Sequence, residues 1–436
     1  MLASLQRRLL GHGENIVYRA AGLPITLAAL TMPGDGDAAA ALRRAYAGHY
    51  WSPGDAGEWF DLSAGVLLAV PGLILSALWF TWRNGAIVAR RGGRSILAQF
   101  ADQLRLFASA GILPPWYYIF SLHEPGPCAA ARSFLNRCET KRGVYRLLRA
   151  AFRSISPLDD KIAFDARCRA HQLAVAPVVM TFRDGRASGE APLPPEDLFA
   201  KPARGRGGRG AERWDHVDGG RYRDVAGREL SAPALVERLR RKSRERAWLV
   251  QRRLTNHPAI ADLSNGALST VRALTCLDER GRPELVAAVF RMAIGANRTV
   301  DNIHAGGIAA AVDLARGTLS DASDLGMDAR LGWLDRHPET GGRITGRTLP
   351  LWRELCDLAV RAHRAFDDRV MIGWDIGLTA SGPCLVEGNS GPDVDLMQRP
   401  ARRGLADGRF GELLAFHLAR AAERPRPLWT LAPARE

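Results

Sequence analysis

Two carboxylates and one amide near the C-terminal end of the sequence have the types and spacing of a divalent-cation site. The apolar runs on either side of residues 380–383 predict an antiparallel hairpin. A turn centred on Ser381 places Asp375 opposite Glu387, and Asn389 projects from the same face. Hard Mg²⁺ ions take such oxygen ligands and bridge phosphates. The hairpin therefore predicts a magnesium site, with an exposed acidic hairpin as the alternative.

The basic side chains indicate an anionic partner. The 436 residues include 60 basic and 46 acidic side chains, a net charge of +14, which favours phosphate, anionic lipid or nucleic acid. The chain has four lysines, Lys141, Lys161, Lys201 and Lys242. Lys201 precedes a flexible loop with Gly205, Gly207, Gly208 and Gly210. Glycine lets backbone N–H groups turn toward a phosphate; an RNA-binding RGG-type segment and a solvated loop are the alternatives.

Two arginines occur in apolar, β-rich runs. Arg272 lies in LSTVRALT and Arg291 in LVAAVFRMAI. Burying an unpaired guanidinium is costly, so each should face a polar cleft or an acidic partner. The alternative is an ordinary outward-facing arginine on a strand.

Between about residues 155 and 400, the order of these motifs resembles the ATP-grasp superfamily. Within it, the chain is most similar to the sugar-transfer-associated ATP-grasp group, which is related to α-L-glutamate ligases. The segments that carry the resemblance are LDDKIAF, FAKPARGRGGRG, WLVQRRL, VDNIHAGG and the D…E-x-N triad, with PPWYYIF and Q-x-x-L-x-N-H-P as further support. The resemblance implies an α+β ATP-grasp fold, in which two subdomains grip ATP.

The resemblance also implies cofactors, a reaction and residue roles. ATP and Mg²⁺ are the implied cofactors, and the implied reaction is ADP-forming ligation of a carboxylate, activated as an acyl phosphate, to an amine or another nucleophile. The implied nucleotide-binding residues are Lys161, Lys201, Gly205, Gly207, Gly208, Gln251, Leu254 and Asn302. The implied catalytic residues are Arg272, Arg291 and His304, and the implied metal ligands are Asp375, Glu387 and Asn389. Many family members have an acidic residue for ribose directly after the hinge glutamine, where this chain has Arg252.

Two other functions remain open from the residues. One is an ATP-grasp phosphotransferase that acts on an acceptor other than a carboxylate. The other is a non-catalytic membrane scaffold that binds anionic lipid or RNA through the basic region 201–253. We expect small-molecule, lipid-linked or sugar-linked substrates for the ligase and do not expect a nucleic-acid partner.

Residues 62–82 form a run of 21 residues without a charge, about 31 Å of helix and long enough to cross a bilayer. Trp59 precedes the run, Trp82 ends it, and arginines follow from Arg83 on. This arrangement predicts a membrane segment with the following chain on the cytoplasmic face of the inner membrane. A buried core helix, or a re-entrant hairpin bent at Pro71, stays open.

The composition predicts a mostly helical N-terminal region, with this one membrane segment, before the α+β body. The six cysteines contain no C-x-x-C pair, which indicates a reduced compartment. The predicted boundaries are 1–61 for the N-terminal region, 62–95 for the membrane segment and its basic flank, 96–155 for a helical pre-domain, 156–250 for the N-terminal and lid part of the ATP-grasp body, 251–405 for its catalytic part, and 406–436 for a C-terminal helix and tail.

Overall fold

The computed structural model describes residues 2–32, 36–149, 156–205, 208–296 and 298–423. The chain divides into two compact units. The first, called here the helical unit, comprises Met1–Arg153, Leu325–Gly332 and Asp393–Glu436. The second, the sheet unit, comprises Ser154–Asp324 and Trp333–Pro392. The six-segment division predicted from the sequence stays a prediction.

The helical unit contains ten of the described α-helices. They are α1 (Leu2–Thr31), α2 (Ala38–Tyr50), α3 (Ala56–Arg90), α4 (Ile96–Ala110), α5 (Pro114–Ile119), α6 (Pro125–Ala129), α7 (Arg137–Glu139), α8 (Tyr145–Arg149), α12 (Asp395–Ala401) and α13 (Arg409–Glu423). The predicted helical N-terminal region is thereby confirmed.

Local sequence explains where the long helices begin and end. The Asp55 side chain accepts a hydrogen bond from Glu58 N at the start of α3, and Ser95 accepts one from Ala98 N at the start of α4. Such caps satisfy backbone donors that the first turn leaves unpaired. Gly111 ends α4 in the left-handed conformation. Pro71 lies inside α3 without interrupting it.

The sheet unit contains two antiparallel sheets and three helices, α9 (Lys161–Ala170), α10 (Ala232–Ser243) and α11 (Trp352–Ala365). The strands of the first sheet are β1 (Val178–Arg183), β2 (Arg186–Gly189), β3 (Leu198–Pro202), β4 (Glu212–Val217), β5 (Arg221–Asp224), β6 (Glu229–Ser231) and β7 (Trp248–Arg252), in the order β2-β1-β7-β3-β4-β5-β6. Buried Phe182, Trp214, Leu239 and Trp248 form part of the core between this sheet and α10. Ser231 caps α10, because its side chain accepts a hydrogen bond from Ala234 N.

The second sheet carries most of the predicted chemistry. Its strands are β8 (Thr270–Leu277), β9 (Pro283–Met292), β10 (Ile308–Val312), β11 (Leu319–Ser323), β12 (Met371–Thr379) and β13 (Gly382–Asn389), in the order β11-β10-β9-β8-β12-β13. All nine residues of β12 are buried. Leu355, Leu358 and Ala362 on the inner face of α11 are buried as well. The α+β fold predicted from the sequence is confirmed.

In the β12–β13 hairpin, Asp375 faces Glu387 as predicted, but the register near the turn differs from the predicted one. Near the turn, Thr379 pairs with Gly382 and Ile376 with Leu385, so the turn centres between Ala380 and Ser381 rather than on Ser381. A register shift then makes Val386 an extra residue, and Asp375 pairs with Glu387. The bulge therefore restores the alignment that the sequence arithmetic predicts.

Candidate active site

Asp375 lies at the centre of a buried charged network on the second sheet. It is on β12, directly opposite Arg272 of β8. Arg272 Nη2 donates to Asp375 Oδ2 at 3.0 Å, and its Nε donates to Oδ1. Arg291 of β9 brings Nη2 to 3.0 Å from the same Oδ2. Burial raises the pKa of Asp375, but Arg272 and Arg291 outweigh that effect, so its pKa lies below the ordinary value.

A second carboxylate, Asp301, extends this network. Arg291 Nη2 is 3.1 Å from Asp301 Oδ1. Asp301 Oδ2 accepts hydrogen bonds from Thr270 N at 2.7 Å and from Thr270 Oγ1 at 2.6 Å. Arg291 Nη2 also donates to Thr270 Oγ1 at 2.6 Å. Burial raises the pKa of Asp301, and Arg291 partly offsets this. Arg291 is thus held from two sides, so its position is well defined.

Glu387 links both lysines to this network, by an ion pair with Lys161 and by electrostatic attraction with Lys201. Lys161 is the first residue of α9 and Lys201 belongs to β3. Lys161 Nζ is 3.4 Å from Glu387 Oε1 and donates to Gly205 O at 2.9 Å. Lys201 is 7% exposed, and burial lowers its pKa to about 8, although Glu387 counteracts this. Residues from distant parts of the sequence therefore converge, as their predicted roles require.

Counting charges shows what the network can accept. Four cations, Lys161, Lys201, Arg272 and Arg291, lie with three carboxylates, Asp301, Asp375 and Glu387. One positive charge is left over in a largely buried setting. An uncompensated buried charge is unfavourable, so this arrangement favours an anionic ligand such as a phosphate group.

The predicted metal ligands have the chemistry of a magnesium site. Asp375 and Glu387 face each other, and Asn389 is opposite Gly373, where its Nδ2 donates to Gly373 O at 3.4 Å. Among the described residues, no group of three or more His, Cys, Asp or Glu side chains could hold a metal ion. Mg²⁺ commonly uses one or two carboxylates and takes its other ligands from phosphates and water. By type, two carboxylates and an amide oxygen fit this ion. Both Asp375 oxygens contact arginines in this structure, so magnesium would bind together with anionic phosphates that offset the excess positive charge.

The predicted phosphate loop follows Lys201. Gly205 O accepts the Lys161 hydrogen bond. Gly208 has φ +69°, and a Cβ on it would come within 3.0 Å of Val300 Cγ1. Glycine is therefore required by both conformation and space at Gly208. Gly207 lies outside the described residues. The loop thus comes close to Val300, which directly precedes Asp301.

Two predicted nucleotide-binding residues, Gln251 and Leu254, lie at and just after the end of β7. Gln251 is buried, and its Nε2 donates to Ala176 O at 2.9 Å, while Leu254 is half-buried in the following loop. No described contact joins either residue to the charged network. Arg252 forms ion pairs with Glu196 and Glu190. Acidic residues therefore do occur beside the hinge, but they come from another part of the sequence.

Residues 302–307, in the segment VDNIHAGG, form a tight loop between β9 and β10. Asn302 Oδ1 accepts a hydrogen bond from His304 N at 3.1 Å and so caps a short 3₁₀ turn. A Cβ on Gly307 would lie 2.9 Å from Asp301 O and 3.0 Å from Met292 O. His304 is exposed. The described contacts give Asn302 a loop-forming role and do not bring His304 to the charged network.

Sequence reasoning missed Asp301 and Thr270 as members of the site. Asp301 directly precedes the recognised Asn302, and Thr270 lies two residues before Arg272. An arginine in an apolar strand needs an acidic partner, and this requirement could have prompted a search for one near each arginine. The sequence alone does not show which carboxylate folds against which arginine.

A family model described as sugar-transfer-associated ATP-grasp matches residues 146–410 of the chain. No curated protein matches it.

Several solved structures are similar in fold. D-alanyl-alanine synthetase A from Vibrio cholerae has 11% sequence identity, with a TM-score of 0.36 over 61% of this chain and 66% of that one. D-alanine–D-alanine ligase from Bacillus anthracis, complexed with ATP, has 10% identity and a TM-score of 0.36 over the same shares. The ADP complex of purK, an N5-carboxyaminoimidazole ribonucleotide synthetase, has 11% identity and a TM-score of 0.33 over 55% of this chain and 46% of that one. The chain thus spans between about half and two thirds of these proteins.

Proposed function

Because the chain belongs to the sugar-transfer-associated ATP-grasp family, we propose that it is an ADP-forming ligase. It would use ATP and Mg²⁺ to activate a carboxylate and join it to an amine or another nucleophile. The observation that carries this proposal is the convergence of Lys161, Lys201, Arg272 and Arg291 on Asp375 and Glu387, with an excess positive charge.

Each group has a defined task in this reaction. Lys161 and Lys201 would bind the ATP phosphates, and Arg272 and Arg291 would offset charge on the transferring phosphoryl group. Asp375, Glu387 and Asn389 would hold magnesium, which when bound neutralises phosphate charge. A carboxylate oxygen of the substrate attacks the γ-phosphorus, and the bond to ADP breaks. The nucleophile then attacks the acyl carbon, and inorganic phosphate leaves. His304 stays a predicted general base.

The contacts in the basic region argue against a scaffold that binds lipid or RNA there. Many of its cations are already matched with acidic side chains. The ion pairs are Arg213–Asp215, Arg221–Glu229, Arg223–Glu229, Arg238–Glu212, Lys242–Glu212, Arg252–Glu196 and Arg253–Asp197. A lipid or RNA partner would have to compete with these acids for seven of the 16 basic side chains of region 201–253, which weakens the scaffold alternative.

Attachment to the cytoplasmic face of the inner membrane is the second part of the proposal. Among the described residues, α3 is the one helix long and apolar enough to cross a bilayer, and 22% of its most apolar window is buried. Arginines follow the helix on its C-terminal side. A membrane location would favour a lipid-linked or sugar-linked acceptor and a role in cell-envelope or polysaccharide modification.

The reaction can be tested with purified full-length protein, labelled ATP, Mg²⁺ and a panel of amino and hydroxy acids. We expect ADP release with an active carboxylate and trapping of the acyl phosphate by hydroxylamine. ADP release without a hydroxamate would instead identify a phosphotransferase. Absence of any thermal stabilisation by Mg·ADP would contradict nucleotide binding and favour the scaffold.

A further inference from the structure

Exposed large apolar side chains are concentrated at one end of the sequence. Among the described residues, 16 of the 19 lie between Val17 and Leu97. Ten of them belong to α3: Trp59, Phe60, Leu67, Leu68, Val70, Ile74, Leu75, Leu78, Trp79 and Trp82. A contiguous apolar surface of this kind is typical of a binding site for a protein or a membrane. We call these ten residues the α3 apolar surface.

The buried residues of α3 lie in two groups, one between Asp61 and Ala69 and one between Ala77 and Val88, and each group includes polar side chains. Buried Asp61 accepts hydrogen bonds from His12 Nδ1 at 2.7 Å and from Asn15 Nδ2 at 3.1 Å. Buried Thr81 accepts one from Gln103 Nε2 at 2.7 Å. The helix therefore packs against its own unit near both ends and exposes large apolar side chains along its length.

The chain before α3 and the chain after it pack together within the helical unit. Arg43 of α2 is 0% exposed and pairs with Glu139 at 3.3 Å. It also donates to Arg132 O at 2.9 Å and to Phe134 O at 3.0 Å. A helix that crossed a bilayer would put Arg43 and Glu139 on opposite sides of the membrane. That topology would separate a buried ion pair, which is strongly destabilising.

The continuity of α3 excludes a re-entrant hairpin. The helix runs unbroken from Ala56 to Arg90 through Pro71. From Trp59 to Trp82 it extends about 35 Å, with aromatic residues toward both ends. What remains is a helix that contacts the bilayer along its side.

The charge next to the α3 apolar surface indicates which bilayer it would contact. Arg83, Arg90, Arg91 and Arg94 are all exposed at or just beyond the C-terminal end of α3, although Arg83 and Arg94 also form ion pairs with Asp328 and Asp102. Basic residues beside an apolar helical face are attracted to anionic headgroups. The net charge of +14 acts in the same direction.

We propose that α3 does not cross the membrane but lies in the plane of one leaflet of an anionic bilayer, with the α3 apolar surface inserted. The protein would then be monotopic, with the chain on both sides of α3 on the same face of the membrane. This inference rests on the membrane attachment in the proposed function and specifies how that attachment is made.

Vesicle flotation of the full-length protein tests whether an anionic bilayer binds the α3 apolar surface. We expect flotation with vesicles containing phosphatidylglycerol and much weaker flotation with phosphatidylcholine alone. Leu75→Asp with Leu78→Asp should lower partitioning by more than about tenfold, whereas Leu314→Asp, an exposed leucine of the sheet unit, should not. A lipid-free dimer that the double variant dissociates, without vesicle binding, would overturn the proposal in favour of a second copy.

Cysteine labelling in cells tests the topology. Cys128 and Cys356 are the two partly exposed cysteines of the chain and would first be changed to serine. Ser52→Cys precedes α3 and Ala101→Cys follows it, and both positions are exposed. A membrane-impermeant maleimide should label both from the cytoplasmic side in inverted vesicles and neither in intact cells. Labelling from opposite sides would show a crossing helix and overturn the proposal.

Nucleotide binding separates this proposal from the proposed reaction. The Leu75→Asp, Leu78→Asp variant should keep the thermal stabilisation by Mg·ADP, because neither residue belongs to the charged network. A protein that floats with anionic vesicles but is not stabilised by Mg·ADP would support the membrane proposal and contradict the ligase.

Discussion

The second sheet and helix α3 distribute polar and apolar groups in opposite ways. The sheet buries Arg272, Arg291 and Asp375, which are 6–8% exposed. Helix α3 instead exposes leucines and tryptophans, with Leu75 68% and Trp82 74% exposed. An excess buried positive charge and a large exposed apolar surface are each unfavourable for an isolated domain in water. The proposed partners, an anion at the sheet and an apolar phase at the helix, would relieve these two costs.

The charges also differ in how they are satisfied. In the sheet, each guanidinium contacts a carboxylate that is fixed by strand pairing. Near α3, Arg83 and Arg94 pair with Asp328 and Asp102 while their side chains stay 42% and 47% exposed. Removing one partner of a buried ion pair strongly destabilises the folded protein, whereas an exposed ion pair contributes little to its stability. This difference can be tested by substitution.

The largest effect on stability is expected from Asp375→Ala. The change leaves Arg272 buried without the carboxylate that it contacts through two nitrogens. We expect a loss of about 3–5 kcal/mol in the free energy of unfolding, measured by urea denaturation. The control is Glu229→Ala, which breaks the exposed pairs with Arg221 and Arg223 and should lower the free energy of unfolding far less. Equal losses of unfolding free energy in the two variants would show that the buried pair contributes no more to stability than the exposed pairs.

Glu387→Gln should separate activity from stability. The Glu387 side chain is 24% exposed, so its loss of charge should leave the fold intact. As a metal ligand and partner of Lys161, however, it should be needed for phosphoryl transfer. We expect ADP formation to fall by at least about 10²-fold, measured by ADP release, with an unchanged melting temperature. Lys201→Ala should also abolish ADP formation in a folded protein, and undiminished turnover in either variant would refute the proposed roles.

Lys201 should make nucleotide affinity depend on pH. Burial lowers its pKa to about 8, so its positive charge is present below pH 8 and is lost as the pH rises above that value. Affinity for Mg·ADP should therefore fall above pH 8, by at most about tenfold per pH unit. Binding measured between pH 7 and 9 tests this expectation. In Lys201→Arg the charge persists, so an equally steep fall in that variant would assign the pH dependence to another group.

The smallest effect is expected at the α3 apolar surface. In the absence of lipid, Leu75→Ala should change the free energy of unfolding by less than about 0.5 kcal/mol, because Leu75 is mostly exposed. Leu62→Ala, on the packed side of the same helix and 2% exposed, is the matched comparison and should cost about 2–5 kcal/mol. A large loss for Leu75→Ala in lipid-free protein would show that its side chain is already buried against another protein surface.

Local patterns predicted the elements that carry the site. Apolar runs indicated the strands that hold Arg272, Arg291 and Asp375. The hairpin turn and the apolar runs each depend on a few neighbouring residues. These features can therefore be read along the chain without knowledge of the fold.

Contacts between distant residues were decided by tertiary structure. The facing of Asp375 and Glu387 depends on a bulge at Val386 that no turn rule predicts. The pairing of Asp301 with Arg291 depends on how a loop returns to β9. Likewise, residues 62–82 have the length of a membrane crossing, yet the buried contact of Arg43 with Glu139 places both flanks of the helix together. Composition and spacing determine which groups are present and which short elements they form, whereas packing between remote segments determines which charges meet and which surface stays exposed.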